Sequence, residues 1–124
     1  VDRLAEEGEV VVWLTMPSIG APPGQDPEQY RGPGADPARR ARFNEILGDV
    51  AAARPDVVRL VDLGGWLDEA GPEEDLRLRP DGVHFGPETS YEVARSWLTE
   101  AIIAAYADAW RARTARAGGD QTDG

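Results

Sequence analysis

Val10-Val11-Val12-Trp13-Leu14, followed by Thr15-Met16-Pro17, is a continuous β-branched and aromatic run. Apolar character without alternation marks a strand buried on both faces, as in the parallel sheets of α/β proteins. A second run of this kind, Val57-Val58-Arg59-Leu60-Val61-Asp62-Leu63, reads as a second strand. Between them, Asp36-Pro37 opens a helix, because aspartate accepts the first free N–H groups and proline suits the first helical position. Phe43, Ile46, Leu47 and Val50 recur at helical spacing and give that helix one apolar face, and Pro55 closes it. Residues 18–36, rich in Pro, Gly and Asp, read as a long loop. Upstream, Asp2-Arg3-Leu4-Ala5-Glu6-Glu7-Gly8 reads as the end of a helix, with Gly8 just past its C-terminus.

Downstream, residues 64–86 read as mostly loop, with a turn of helix around Trp66-Leu67. From Pro87 onward Ala94, Trp97, Leu98, Ala101, Ile102 and Ala105 define a long amphipathic helix. One domain accounts for residues 1–116, and the Gly- and Asp-rich residues 117–124 read as a flexible tail. Strand, helix, strand, loop, helix is an α/β order with a right-handed parallel crossover. Two parallel strands buried on both faces do not make a stable sheet by themselves, since each leaves an unpaired edge. The expectation is that this sequence lacks the N-terminal strands of its own domain, or that a partner chain supplies them.

Composition narrows the function classes. The chain has 124 residues, a net charge of -10, and thirteen basic residues that are all arginine. Nucleic-acid binding and polybasic membrane attachment both need a basic surface, so neither is expected. No apolar run approaches the roughly 20 residues that span a bilayer. With no cysteine there is no disulfide framework and no thiolate metal site. No cofactor and no metal are expected.

The chemistry concentrates in Arg79-Pro80-Asp81-Gly82-Val83-His84-Phe85, which holds the only histidine. Neutral imidazole accepts a proton on one ring nitrogen only when the other is a donor, and a nearby carboxylate fixes that tautomer. Asp81, three positions before His84 in a glycine-containing loop, is placed to do this. Pro80 stiffens the approach, Gly82 permits an unusual turn, and Phe85 can anchor the loop in the core. The competing reading of an isolated Asp-x-x-His is a turn-capping aspartate beside a surface histidine.

The surrounding pieces decide between the two. Val11-Val12-Trp13-Leu14-Thr15-Met16-Pro17, the Asp36-Pro37 helix with Phe43-Asn44, Val61-Asp62-Leu63, and Arg77-Leu78-Arg79-Pro80-Asp81-Gly82-Val83-His84-Phe85 together resemble the C-terminal half of the SGNH (GDSL-type) hydrolases. The likeness runs over roughly residues 9–110 and is closest to SGNH domains of bacterial surface proteins and membrane acyltransferases. It implies a three-layer α/β/α, flavodoxin-like fold, here partial and without its N-terminal strands. It also implies a serine esterase or acyl-transfer mechanism, with His84 as general base and Asp81 as its orienting carboxylate. The implied substrate is a small-molecule or carbohydrate ester. Localisation stays open, with an extracytoplasmic place for the complete protein as the reading that the resemblance allows.

The family's serine, glycine and Gly-x-Asn-Asp blocks would all precede residue 9, and the chain contains none of them. Ser18, Ser90 and Ser96 are its only serines. Ser18 lacks a Gly-Asp-Ser frame, and the other two fall on the last helix, where capping or a solvated face is ordinary. The polypeptide alone is therefore expected to be inactive and to need its N-terminal half. Trp13, Trp66, Trp97 and Trp110 could suggest a sugar-stacking platform, but three of them sit in strand or helix apolar patterns and fit the core better. The acidic residues Asp68, Glu69, Glu73, Glu74 and Asp75 lack the alternating spacing of a calcium loop. Asp62 reads as a cap for the turn after its strand, and Gly32-Pro33-Gly34 as turn chemistry. The alternative to the hydrolase is a non-catalytic α/β binding or interaction module that kept the fold without the nucleophile.

Overall fold

The computed structural model describes residues 1–6, 8–21, 24–26 and 35–119. Much of the 18–36 loop, Gly32-Pro33-Gly34 included, and tail residues 120–124 lie outside the described residues. A short helix α1 (Asp2–Glu6) ends at Gly8, whose φ of 84° is the left-handed conformation that closes helices. The Glu9 N–H reaches back to the Leu4 carbonyl at 2.9 Å, completing that cap.

β1 (Val11–Leu14) and β2 (Val58–Val61) pair in parallel, Val11 beside Val58 and Leu14 beside Val61. The class is thus mixed α/β with a parallel sheet, as the two valine-rich runs predict. The connecting helix α2 (Pro37–Ala53) begins where Asp36-Pro37 predicts, the Asp36 carboxylate accepting from the Ala38 N–H at 2.9 Å. The second strand is shorter than the apolar run implies. It stops at Val61 because Asp62 turns the chain and caps α3 (Leu63–Ala70).

Residues 64–86 are not mostly loop. They hold α3 and α4 (Pro72–Leu78), separated by Gly71 and leaving only residues 79–86 irregular. The apolar signal in α3 is only eight residues long, too short for periodicity to separate helix from loop. In α4 the signal is local electrostatics, with Glu73, Glu74 and Asp75 in the first turn and Arg77 in the last. After α5 (Pro87–Val93) a π-helical turn, Ala94–Leu98, leads into α6 (Thr99–Gly119). The final helix thus extends past Arg116 into what the sequence marks as tail.

Leu63, Leu67, Leu78 and Val93 form the buried cluster, with Leu14, Trp66, Phe85, Trp97 and Leu98 packed against it. Fully burying a leucine such as Leu67 or Leu78 stabilises by about 1.5–3 kcal/mol. Trp66 and Trp97 stack with ring centroids 5.0 Å apart and planes within 5°, so both belong to the core as expected. Trp110 is exposed on α6.

The two-sided burial expected of β1 is not reached either. Every residue of β1 is only half-buried. Phe43 and Ile46, on the predicted apolar face of α2, are exposed while Leu47 is buried. The ladder shows why. Val11 and Thr15 donate to the carbonyls of Val57 and Val61, so alternation turns the backbone groups of Val12 and Leu14 to the opposite edge. That edge meets no strand among the described residues. Among the same residues no helix is long and apolar enough to cross a membrane.

Beyond both strand ends the chain is locked by Asp62. Its Oδ1 accepts from Thr15 Oγ1 at 2.6 Å and from the Gly65 N–H at 3.0 Å, and Thr15 Oγ1 accepts from the Gly64 N–H at 2.9 Å. These bonds, the Thr15 hydroxyl foremost, hold the Asp62 carboxyl below its ordinary range. A lowered carboxyl stabilises the fold above the unfolded value of about 3.9, and that stability is lost as pH falls through the folded value. Asp62→Ala is expected to cost about 1–2 kcal/mol, as for other helix N-caps. Urea titrations should show the cost at neutral pH and a smaller one on acidification.

Candidate active site

Residues 79–86 are held between α4 and α5 by contacts from both helices. The Arg79 side chain is 1% exposed and lies in a two-point pair with Asp75, both N···O distances 2.6 Å. The Leu78 carbonyl accepts from Thr89 Oγ1 at 2.7 Å. Arg77 binds Glu74 in its own helix and Glu92 in α5, closing the base of the loop. That pairing raises the Arg77 guanidinium and lowers both glutamates. Phe85 turns inward onto the leucine cluster, the anchoring expected of it, while His84 points out with its side chain 80% exposed.

At the loop tip one carboxylate organises backbone and ring together. Asp81 Oδ1 accepts from the His84 N–H at 2.7 Å and from the Val83 N–H at 2.9 Å. Its other oxygen, Oδ2, lies 2.8 Å from His84 Nδ1. The turn-capping aspartate and the imidazole-orienting aspartate are therefore one residue doing both. The His84 backbone N–H, then the imidazole, then the Val83 N–H hold the Asp81 carboxyl far below the usual carboxylate range. Its contribution to stability is fully present above the unfolded value of about 3.9 and is lost progressively as pH falls from there through the folded value.

Such an anion beside Nδ1 makes the neutral ring donate there, which leaves Nε2 as the proton acceptor. Nothing among the described residues hydrogen-bonds that nitrogen. The pair thus has the orientation of a general base with its working nitrogen open to solvent.

Gly82 sets the turn. Its φ is 75°, and a Cβ there would stand 2.8 Å from the backbone of Gly20. The Gly20 N–H donates to the Gly82 carbonyl at 2.9 Å, and the Gly82 N–H to the Arg79 carbonyl at 2.7 Å. Gly20 belongs to the segment that leaves β1, so the histidine loop is seated at the carboxyl end of that strand. Asn44 of α2 steadies the same segment, accepting from the Met16 N–H at 2.8 Å and donating to the Met16 carbonyl at 3.0 Å.

No serine joins the pair. Ser90 and Ser96 donate to helix carbonyls of Pro87 and Val93, and Ser18 borders a cavity of about 70 Å³ beside Asp36 and Arg40. Ser18 has no hydrogen bond to His84 among the described residues. In the acidic run, Asp68 pairs with Arg40, Glu74 with Arg77 and Asp75 with Arg79.

The sequence reading placed Asp81 and His84 but missed Arg79, Gly20 and the role of Asn44. Arg79 had a findable signal, an acid–base pair at i,i+4 with Asp75 across the end of α4. Gly20 and Asn44 act on residues 62 and 28 positions away, which no local pattern reports.

No protein-family model, curated protein or solved structure matches this chain. Its site is therefore judged on geometry, and two substitutions probe that geometry. Gly82→Ala is expected to cost at least about 1–2 kcal/mol for the left-handed conformation alone, with the Gly20 clash in addition. Asp75→Ala leaves the buried Arg79 charge unpaired and should cost about 3–5 kcal/mol. Thermal melts read both, and Glu69→Ala on the exposed surface of α3 is the control expected to change little.

Proposed function

We propose that this chain carries the histidine and aspartate of a serine ester hydrolase of the SGNH type, acting in deacylation or O-acyl transfer. The observation that carries the reading is the Asp81–His84 pair, 2.8 Å from Oδ2 to Nδ1, with the opposite side of the ring exposed. A histidine serving only to cap or pack has no need of an oriented carboxylate behind it and an open nitrogen in front. The position at the carboxyl end of a parallel strand supports the same reading, since α/β enzymes place their sites there.

In this proposal the serine and the oxyanion donors come from outside the 124 residues. They would arrive on strands that add to the open edge of β1 and complete a three-layer α/β/α sandwich. The backbone of Val12 and Leu14, which meets no strand among the described residues, and the exposed Phe43 and Ile46 support this. The serine oxygen attacks the ester carbonyl as His84 Nε2 takes its proton, giving a tetrahedral oxyanion. Collapse expels the alcohol oxygen, which takes that proton back from Nε2, and leaves the acyl group on serine. Water, or a sugar hydroxyl in the transfer case, then gives its proton to Nε2 and attacks the acyl-serine. Collapse of this second tetrahedral intermediate breaks the serine–acyl bond, and the serine oxygen takes the proton back from Nε2. Asp81 remains an anion throughout and stabilises the imidazolium formed in each step.

A fluorophosphonate probe, which labels activated serines, tests this on the full-length gene product. Labelling of a serine preceding Val1 is expected, abolished in His84→Ala and reduced on the order of 10²–10⁴-fold in Asp81→Asn. The 124-residue chain alone should not label. Labelling that survives His84→Ala overturns the assignment, and a full-length product that never labels leaves the binding-module reading instead.

A further inference from the structure

The unexplained feature away from the histidine loop is a row of side chains on α6. Ile103, Tyr106 and Trp110 are 62%, 49% and 55% exposed. With the exposed Thr99 and Thr114 they advance by four, three, four and four residues, which aligns them along one helix face. Ala109, fully buried, marks the side of α6 that meets the rest of the fold, so this row adds nothing to the core. It runs for about 22 Å of helix. Single exposed apolar residues are ordinary, but an aligned row rich in tyrosine and tryptophan has the make-up of an interface.

The charges beside the row select its occupant. Glu100 and Arg111 are eleven positions apart, about three turns, and so share one flank of the row. Glu100 has no ion-pair partner among the described residues. Arg111 lies 3.9 Å from one Asp108 oxygen, while Arg59 holds the other at 2.7 Å. Along the helix the order is acid, Ile103, Tyr106, Trp110, base. The complement of that row is the same row reversed.

We propose that this face of α6 docks on the same face of a second copy, the two helices antiparallel about a two-fold axis beside Tyr106. Ile103 of each copy then meets Trp110 of the other, and Glu100 of each faces Arg111 of the other. The contact is isologous and closes on itself as a dimer. In a parallel pairing the two flanks fall on opposite sides of the seam and Glu100 and Arg111 of one copy meet neither residue of the other, so only the antiparallel pairing joins these charges. The dimer does not depend on the hydrolase reading, since neither Asp81 nor His84 lies on α6.

Sedimentation equilibrium of the 124-residue chain tests the proposal. A species of twice the chain mass is expected, and Trp110→Glu should be monomeric with an unchanged helical circular-dichroism spectrum. Glu100→Arg and Arg111→Glu should each weaken association by about tenfold, and the double exchange should restore it. A monomer at every concentration overturns the proposal. So does a dimer that survives Trp110→Glu and ignores the charge exchange, which would move the association to the open edge of β1.

Discussion

The parallel ladder from Val11–Val58 to Leu14–Val61 brings the carboxyl ends of two strands side by side, and the rest of the structure depends on it. Thr15 and Asp62, the residues just past each strand, meet at 2.6 Å because the register makes them neighbours. Asp62 thereby caps α3, whose Leu63 and Leu67 begin the core against which Phe85 packs. Gly20, six residues past the end of β1, reaches Gly82 and seats the histidine loop. A change in register would flip every strand side chain to the other face and part these contacts together.

The strands, α2, the closing of α1 and the last helix were legible because each has a strong local cause. Valine runs, an Asp-Pro start, a glycine stop and a helical apolar period are sufficient for those elements. The segment from 64 to 86 was misjudged as mostly loop because its two helices are eight and seven residues long. So short a helix forms through tertiary packing and caps rather than propensity. Asp81 and His84 were legible because histidine occurs once and the carboxylate stands at turn spacing. What held their loop in place was not, since Gly20–Gly82 and Asn44–Met16 are contacts between distant segments. Burial of β1 and of the Phe43–Ile46 face was overstated for a related reason. Hydrophobicity states what a residue would bury, and the described fold supplies too few neighbours to do it.

Two unsatisfied surfaces therefore carry most of the meaning beyond the core. One is the open backbone edge of β1 with the uncovered face of α2, where the proposed hydrolase would gain its remaining strands and its serine. The other is the Ile103–Trp110 row on α6, which a second copy fits by charge. They differ in chemistry: the edge asks for backbone hydrogen bonds, the row for side-chain packing. An assembly can satisfy both at once, because the edge belongs to the sheet and the row to the outside of a helix.

The central claim is that Asp81 holds His84 as a ready proton acceptor at Nε2. Nitrogen-15 NMR of the ring tests it most directly, and with one histidine in the chain the signals need no assignment by mutation. In the neutral ring the account predicts the Nδ1–H tautomer, with its proton shielded from exchange by the carboxylate. Asp81→Asn should remove the preference. Dominance of the Nε2–H tautomer in the unaltered protein would contradict the account, since the nitrogen open to substrate would then already hold its proton.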